Sequence, residues 1–95
     1  MKVLITDPVD DICISIIKNS GLKYQYIPNS GKKEKLDAIQ DAHGLIVRSG
    51  TIVDERMLDC ASNLKVIGRA GVGVDNIDII NATRKGVVVM NTPDV

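Results

Sequence analysis

The sequence predicts an α/β fold in which a doubly wound, five-stranded parallel sheet is covered by helices. Two observations predict it. Short apolar runs recur along the chain, and most are continuous rather than alternating, which indicates strands buried on both faces. The segments between the runs carry helical patterns, as crossover connections require. The runs span residues 3–6, 22–27, 45–48, 64–68 and 87–90. For a small domain of this kind, the flavodoxin-like strand order 2-1-3-4-5 is expected.

The first crossover has the clearest helical pattern. Its apolar residues recur with the period of an α-helix and form one face. They are Val9, Ile12, Cys13, Ile16 and Ile17. Asp7 is expected to cap the start of this helix, Pro8 to occupy its first turn, and Gly21 to end it in the left-handed conformation.

The other three crossovers have shorter apolar patterns. Residues 32–42 offer little beyond Leu36 and Ile39 to bury. In the third crossover, Thr51 and Asp54 have a spacing similar to that of a capping box. The apolar side of that helix is expected to comprise Val53, Met57, Leu58 and Ala61.

The fourth helix is expected over residues 75–85, with Ile77 and Ile80 buried. Gly86 follows it and can take the left-handed conformation that ends a helix. Arg84 and Lys85 fall in its last turn, where the helix dipole favours positive charge.

Length and charge narrow the classes of function. The 95 residues suffice for one domain and not for two. Twelve basic residues balance twelve acidic ones, and Tyr24 and Tyr26 are the only aromatic residues, so a nucleic-acid partner is not expected. The acid at Asp7 comes too early for a secretory signal, and no apolar run approaches the ~20 residues that span a membrane. A cytoplasmic protein without a membrane partner is expected.

The two cysteines do not form a metal or redox motif. Cys13 and Cys60 lie far apart in apolar helical patterns, without the close pairwise spacing of a metal-binding knuckle. They are expected to be reduced thiols in the core, and no metal site is predicted.

Polar and glycine residues follow the third, fourth and fifth strands. Arg48 and Ser49 follow the third strand, a glycine-rich stretch over residues 68–76 follows the fourth, and Asn91 follows the fifth. Because the carboxyl ends of parallel strands open on one crevice, these residues are expected to lie together. Backbone N–H groups of the glycine-rich turn and the Arg48 guanidinium would suit a carboxylate or phosphate.

Each of these features also has a purely structural interpretation. The glycines would let the turn pack tightly against the next helix. Arg48 could instead cap helix carbonyls or pair with Asp54 or Glu55, and Asn91 could bond its own backbone in a turn. Asp75 fits a helix cap better than an acid or base.

Residues 71–76 look like a dinucleotide-binding fingerprint but lack two of its features. Asn76 stands where the third glycine should be. The stretch follows the fourth strand, whereas a Rossmann fingerprint follows the first strand of its unit. An autonomous dinucleotide-binding domain is therefore not predicted.

Three motifs, in this order and spacing, resemble the amino-terminal region of the D-isomer-specific 2-hydroxyacid dehydrogenases. They span residues 45–49, 68–78 and 82–93, and the resemblance covers essentially the whole chain. It implies a flavodoxin-like substrate domain beside a Rossmann domain that binds NAD. It also implies a small anionic 2-hydroxy acid as substrate, with a phosphorylated one favoured, and a homo-oligomer in the complete enzyme.

The resemblance assigns roles to particular residues. The implied substrate-binding residues are Arg48, Ser49, Ala70, Gly71, Val72 and Asn91. Val72 also matches a position that touches the nicotinamide end of NAD. The glycine-rich NAD loop of the family and its catalytic arginine, glutamate and histidine lie further along than Val95, so no catalytic residue is assigned here.

Oxidation of a secondary alcohol by NAD needs a general base, a cation for the carboxylate and a hydride acceptor. His43, the only histidine, is expected in a solvated loop at the amino end of the third strand, away from the crevice. Residues 1–95 are therefore interpreted as the substrate-binding segment of a dehydrogenase, without its NAD-binding domain. The chain alone is predicted to be inactive.

Two other interpretations belong to different classes of protein. A signalling receiver of this fold needs an acid after the third strand and a lysine after the fifth, where this chain has Arg48 and Asn91. That difference argues against a receiver. Two alternatives remain. One is a free-standing anion-binding or regulatory module, and the other is a segment of a D-2-hydroxyacid dehydrogenase with a different substrate.

The predicted strand order leaves one face of the sheet poorly covered. Right-handed crossovers send the first helix to one face and the other three helices to the opposite face. Apolar side chains of the fourth and fifth strands are expected to be accessible beside the first helix. The resemblance implies that a helix from the far end of the complete chain covers them. The isolated chain is predicted to self-associate or to bind hydrophobic dye there.

Overall fold

Strands and helices alternate along the chain as predicted. A computed structural model describes residues 1–70 and 76–92. Its elements are β1 (Lys2–Ile5), α1 (Asp11–Asn19), β2 (Lys23–Tyr26), α2 (Lys32–Ile39), β3 (Gly44–Val47), α3 (Glu55–Cys60), β4 (Val66–Ala70), α4 (Ile79–Arg84) and β5 (Val88–Thr92).

The five strands pair in parallel in the order β2-β1-β3-β4-β5, which confirms the predicted α/β fold. Val47 is the register partner of Arg69, and Arg69 is the partner of Asn91. The carboxyl ends of β3, β4 and β5 therefore lie at one level. β5 continues to Thr92, so Asn91 lies within a strand and not in a turn after it.

The main hydrophobic core lies between the sheet and helices α2, α3 and α4. Leu4 belongs to this core, whereas its equally buried neighbour Ile5 does not, because successive side chains of a strand point to opposite faces. Full burial of a side chain of this size contributes about 1.5–3 kcal/mol. The buried members are Leu4, Ile39, Ala42, Leu45, Val47, Val53, Met57, Leu58, Ala61, Leu64, Ile67, Ile77, Ala82 and Val87.

Helix α1 buries less of its apolar face than predicted. Ile17 is its one buried residue, whereas Ile12 and Ile16 are 72% and 63% exposed. The helical period identifies an apolar stripe but not what covers it, and no other described helix packs beside α1. Cys13 is half-buried, as is Cys60, and both thiols are unpaired.

The helix ends agree with the predictions at the glycines but not at two N-termini. Gly21 and Gly86 have φ values of +80° and +76°, the left-handed conformation expected of them. Helix α1 begins after Asp10, so Asp7 does not cap it. Helix α4 begins at Ile79, later than expected.

The cap of α4 is Asp78, whose side chain accepts a hydrogen bond from the Asn81 N–H. Asp75, the expected cap, lies outside the described residues. Ile77 precedes the helix and is buried as predicted, but Ile80 is 69% exposed, so its predicted burial is wrong. Ile77 instead bridges to Val53 beside the sheet.

The face of the sheet that carries α1 is partly uncovered, as the strand order predicts. Val88 and Met90 of β5 are 58% and 51% exposed. Their neighbour Val89 points to the other face and packs against the core. Self-association or dye binding through this face stays a prediction. Among the described residues, no helix is long and apolar enough to cross a membrane.

Candidate functional site

The carboxyl ends of β3, β4 and β5 bring together four of the residues that the sequence singled out. Arg48 and Ser49 follow β3 and are exposed, Ala70 ends β4 and is half-buried, and Asn91 on β5 is exposed. Parallel pairing in register places them along one edge of the sheet. The other two predicted substrate-binding residues, Gly71 and Val72, lie outside the described residues.

The turn after β3 is held by a carboxylate that the sequence analysis placed elsewhere. Asp7, at the end of β1, is only 4% exposed. Its Oδ2 accepts the Arg48 N–H at 2.6 Å and the Thr51 N–H at 3.0 Å, and its Oδ1 accepts the Thr51 hydroxyl at 2.8 Å. Asp7 therefore fixes the turn over residues 48–51 rather than capping α1.

Two neighbours of Asp7 complete this arrangement. Because the Thr51 hydroxyl donates its one hydrogen to Asp7, the 2.8 Å contact with the Thr6 hydroxyl makes Thr6 the donor there. A Cβ at Gly50 would lie 2.8 Å from Asp7 Oδ1, closer than real side chains approach. The turn can rest on the carboxylate only because residue 50 is glycine.

Asn76 holds the same turn from the side of β4. Its Nδ2 donates to the carbonyl oxygens of Arg48 at 2.7 Å and Thr51 at 2.6 Å. Its Oδ1 accepts the Arg69 Nε–H at 2.6 Å. Asn76, which replaces the third glycine of the dinucleotide fingerprint, thus connects the turn to the Arg69 guanidinium.

The Arg48 guanidinium is exposed at this edge of the sheet. Within the described residues, the Arg48 side chain forms no hydrogen bond or ion pair, although its backbone is bonded at both ends. Asp54 instead accepts the Met57 N–H and caps α3, so the alternative pairing with Arg48 is not observed. A solvent-facing guanidinium on a fixed backbone is suited to a carboxylate or a phosphate.

His43 lies in the loop at the amino end of β3, as predicted, but it is not fully solvated. It is half-buried, and its Nδ1 accepts the Lys2 N–H at 3.2 Å. Lys2 Nζ forms an ion pair with Asp41 at 3.0 Å, and this hydrogen bond lowers the pKa of Asp41. These groups are separated from Arg48 by the length of a strand.

Sequence reasoning missed four residues that build the site. They are Thr6, Asp7, Thr51 and Asn76. Thr6 and Asp7 carried a signal in their position, since polar residues that directly follow a buried strand collect at the carboxyl edge. Thr51 and Asn76 lie further beyond their strands, and their contacts depend on how the loops fold. In the part of the chain that the structure describes, no group of three or more histidine, cysteine or acidic residues is arranged to hold a metal.

Comparison with known proteins identifies the family of this chain. The family described as the D-isomer specific 2-hydroxyacid dehydrogenase, catalytic domain, matches residues 3–95. The chain belongs to this family. D-3-phosphoglycerate dehydrogenases of Sus scrofa and Methanocaldococcus jannaschii are each 48% identical to it, over 98% and 99% of the chain. Those alignments cover 17% and 18% of the two relatives, so the chain spans less than a fifth of their length.

Solved structures share the fold of this chain. The NAD⁺-bound 3-phosphoglycerate dehydrogenase of Entamoeba histolytica superimposes with a TM-score of 0.87 and 34% identity. The match covers 98% of this chain and 33% of that one. The TT0316 protein of Thermus thermophilus gives a TM-score of 0.86 at 31% identity, over 94% of this chain and 29% of its own.

Proposed function

We propose that residues 1–95 form the substrate-binding segment of an NAD-dependent D-3-phosphoglycerate dehydrogenase. The reaction oxidises 3-phosphoglycerate to 3-phosphohydroxypyruvate, a step of L-serine biosynthesis. Family membership and the names of the relatives support this proposal. The observation that carries it is the exposed Arg48 guanidinium, whose backbone is fixed by Asp7 and Asn76.

The chemistry of the substrate explains this arrangement. At neutral pH 3-phosphoglycerate carries a carboxylate and a phosphate, and either group suits the forked donors of a guanidinium. The Ser49 hydroxyl stands beside Arg48 and can donate to the same anion. We assign Ala70, Gly71, Val72 and Asn91 to the remaining contacts with substrate along this edge.

The described residues offer little for holding NAD. In a dinucleotide-binding unit, N–H groups after the first strand face the pyrophosphate. Here Asp7 and Pro8 follow β1, a carboxylate and a residue without an N–H. We therefore assign NAD binding to a domain outside this chain, with a contact at Val72 alone from this chain. When bound, NAD supplies the hydride acceptor.

The proposal has two direct tests. The first is the reading frame, which should continue well beyond codon 95 and encode a glycine-rich NAD loop. A stop codon after Val95 would favour a free-standing anion-binding module instead. The second is NADH formation by the complete polypeptide with 3-phosphoglycerate and NAD at alkaline pH, with no turnover by residues 1–95 alone. Activity with another 2-hydroxy acid and none with 3-phosphoglycerate would reassign the substrate.

A further inference from the structure

We propose that Asp7 is a positioning residue for substrate binding: its buried carboxylate sets the geometry of the turn that presents Arg48 and Ser49. This inference rests on the proposed function, since it names the group that shapes the proposed anion site. Asp7 itself is 4% exposed and does not touch the substrate in this account.

The hydrogen bonds define what Asp7 does to the turn. Its two oxygens accept from both ends of the turn, at the Arg48 N–H and at the Thr51 N–H and hydroxyl. The direction in which the Arg48 side chain leaves the backbone is therefore set by Asp7. The middle of the turn lies so close to the same carboxylate that a Cβ at Gly50 would stand 2.8 Å from Oδ1.

The negative charge of Asp7 is stabilised by local hydrogen bonds, which is compatible with an anion site nearby. A carboxylate below the turn would repel a phosphate unless its charge were compensated locally. All three groups that bond it are neutral N–H or O–H donors. Among the described residues it forms no ion pair, so the Arg48 guanidinium is not needed to neutralise it.

Asp7 is a cleaner test than Asn76. Asn76 bonds the carbonyls of the same turn, but it also accepts from Arg69. Its substitution would disturb two cationic residues at once. Among the described residues, the hydrogen bonds of Asp7 all go to the turn.

The main experiment compares the complete polypeptide with its Asp7→Asn variant. Asparagine keeps the size but places an amide NH₂ against groups that donate hydrogen bonds. We expect the KM for 3-phosphoglycerate to rise about tenfold or more, the scale of a lost charge-assisted hydrogen bond. The KM for NAD should stay within about twofold, because a general loss of structure would weaken both substrates.

Two further pairs separate positioning from folding. Gly50→Ala pushes a Cβ against Asp7 Oδ1 without changing any polar group, and it should also raise the KM for 3-phosphoglycerate. Gly44→Ala is its control, since that Cβ meets only Val3 and Val66, at 3.6 Å. If Asp7→Asn does not fold, Thr51→Val takes its place, because it removes the hydroxyl that donates to Asp7 and should also raise the KM for 3-phosphoglycerate. Thr51→Ser retains the hydroxyl and should have the wild-type KM.

Amide hydrogen exchange tests the role of Asp7 independently of the proposed function. If the wild-type polypeptide forms no NADH with 3-phosphoglycerate, the proposed function fails. Exchange at the Arg48 and Thr51 amides then decides whether Asp7 sets the turn, and we expect it to accelerate in Asp7→Asn. Unchanged exchange at both amides overturns the inference, as does an unchanged KM for 3-phosphoglycerate in an active Asp7→Asn enzyme.

Discussion

Each end of the sheet contains an aspartate that accepts hydrogen bonds, and the two aspartates have different roles. At the carboxyl end, Asp7 is buried, and its hydrogen-bond donors among the described residues are all neutral. At the amino end, Asp41 is 68% exposed and pairs with Lys2 at 3.0 Å. The first aspartate holds a backbone turn in place, whereas the second compensates a charge.

This difference supports the proposal that the carboxyl end of the sheet binds the ligand. A buried carboxylate is stable only when its oxygens accept several hydrogen bonds, and those bonds fix the groups that donate them. The carboxyl end therefore has a turn that is fixed by hydrogen bonds, and the Arg48 side chain there has no bonding partner among the described residues. The amino end pairs its cation internally, in an exposed contact of the kind that adds little stability.

The difference between the two ends is tested most strongly by replacing Asp7 and Asp41 one at a time. Asp7→Ala leaves three donors at the carboxyl end without their acceptor and should destabilise the fold by about 2–4 kcal/mol. Asp41→Ala, at an exposed position, should change stability little. Urea unfolding of the 95-residue chain at pH 7 measures both. Equal losses in the two variants would remove the distinction between the two ends.

A smaller loss of stability is expected from replacing the residues that precede helices α3 and α1. Asp54→Ala should lower stability by about 1 kcal/mol, because its Oδ1 accepts the Met57 N–H at the start of α3. Asp10 precedes α1 without a side-chain cap bond, so Asp10→Ala should have a much smaller effect. The same unfolding assay checks this pair, and a larger loss for Asp10→Ala would contradict the assigned caps.

The smallest effect concerns the pH dependence of the amino end. The hydrogen bond from Lys2 lowers the folded-state pKa of Asp41 below 3.8. A lowered pKa adds stability that is present above the unfolded value and is lost as the pH falls through the folded one. The small stability difference between wild type and Lys2→Met should therefore shrink below about pH 4 and in high salt. A difference that persists at low pH would show that packing, not the ion pair, is responsible.

Continuous apolar runs and helical crossovers predicted the parallel sheet, and its strand order was predicted because 2-1-3-4-5 is common in small folds of this kind. The sequence was not sufficient for Asp7, since an acid before Pro8 at the start of a helix looks the same whether it caps that helix or reaches a distant turn. The 41-residue separation of Asp7 and Arg48 becomes a contact only when β1 and β3 pair. The exposure of Ile12, Ile16 and Ile80 was missed because periodicity does not show which neighbours are present.

The central claim is that the carboxyl end of the sheet presents the Arg48 guanidinium to an anionic substrate. Replacing Arg48 by lysine in the complete polypeptide keeps the charge and removes the fork. Its kcat/KM for 3-phosphoglycerate should fall by an amount equivalent to about 1.5–3 kcal/mol of transition-state binding. Arg56→Lys, at an exposed position on α3, should leave kcat/KM unchanged. A value for Arg48→Lys equal to that of wild type would contradict the account.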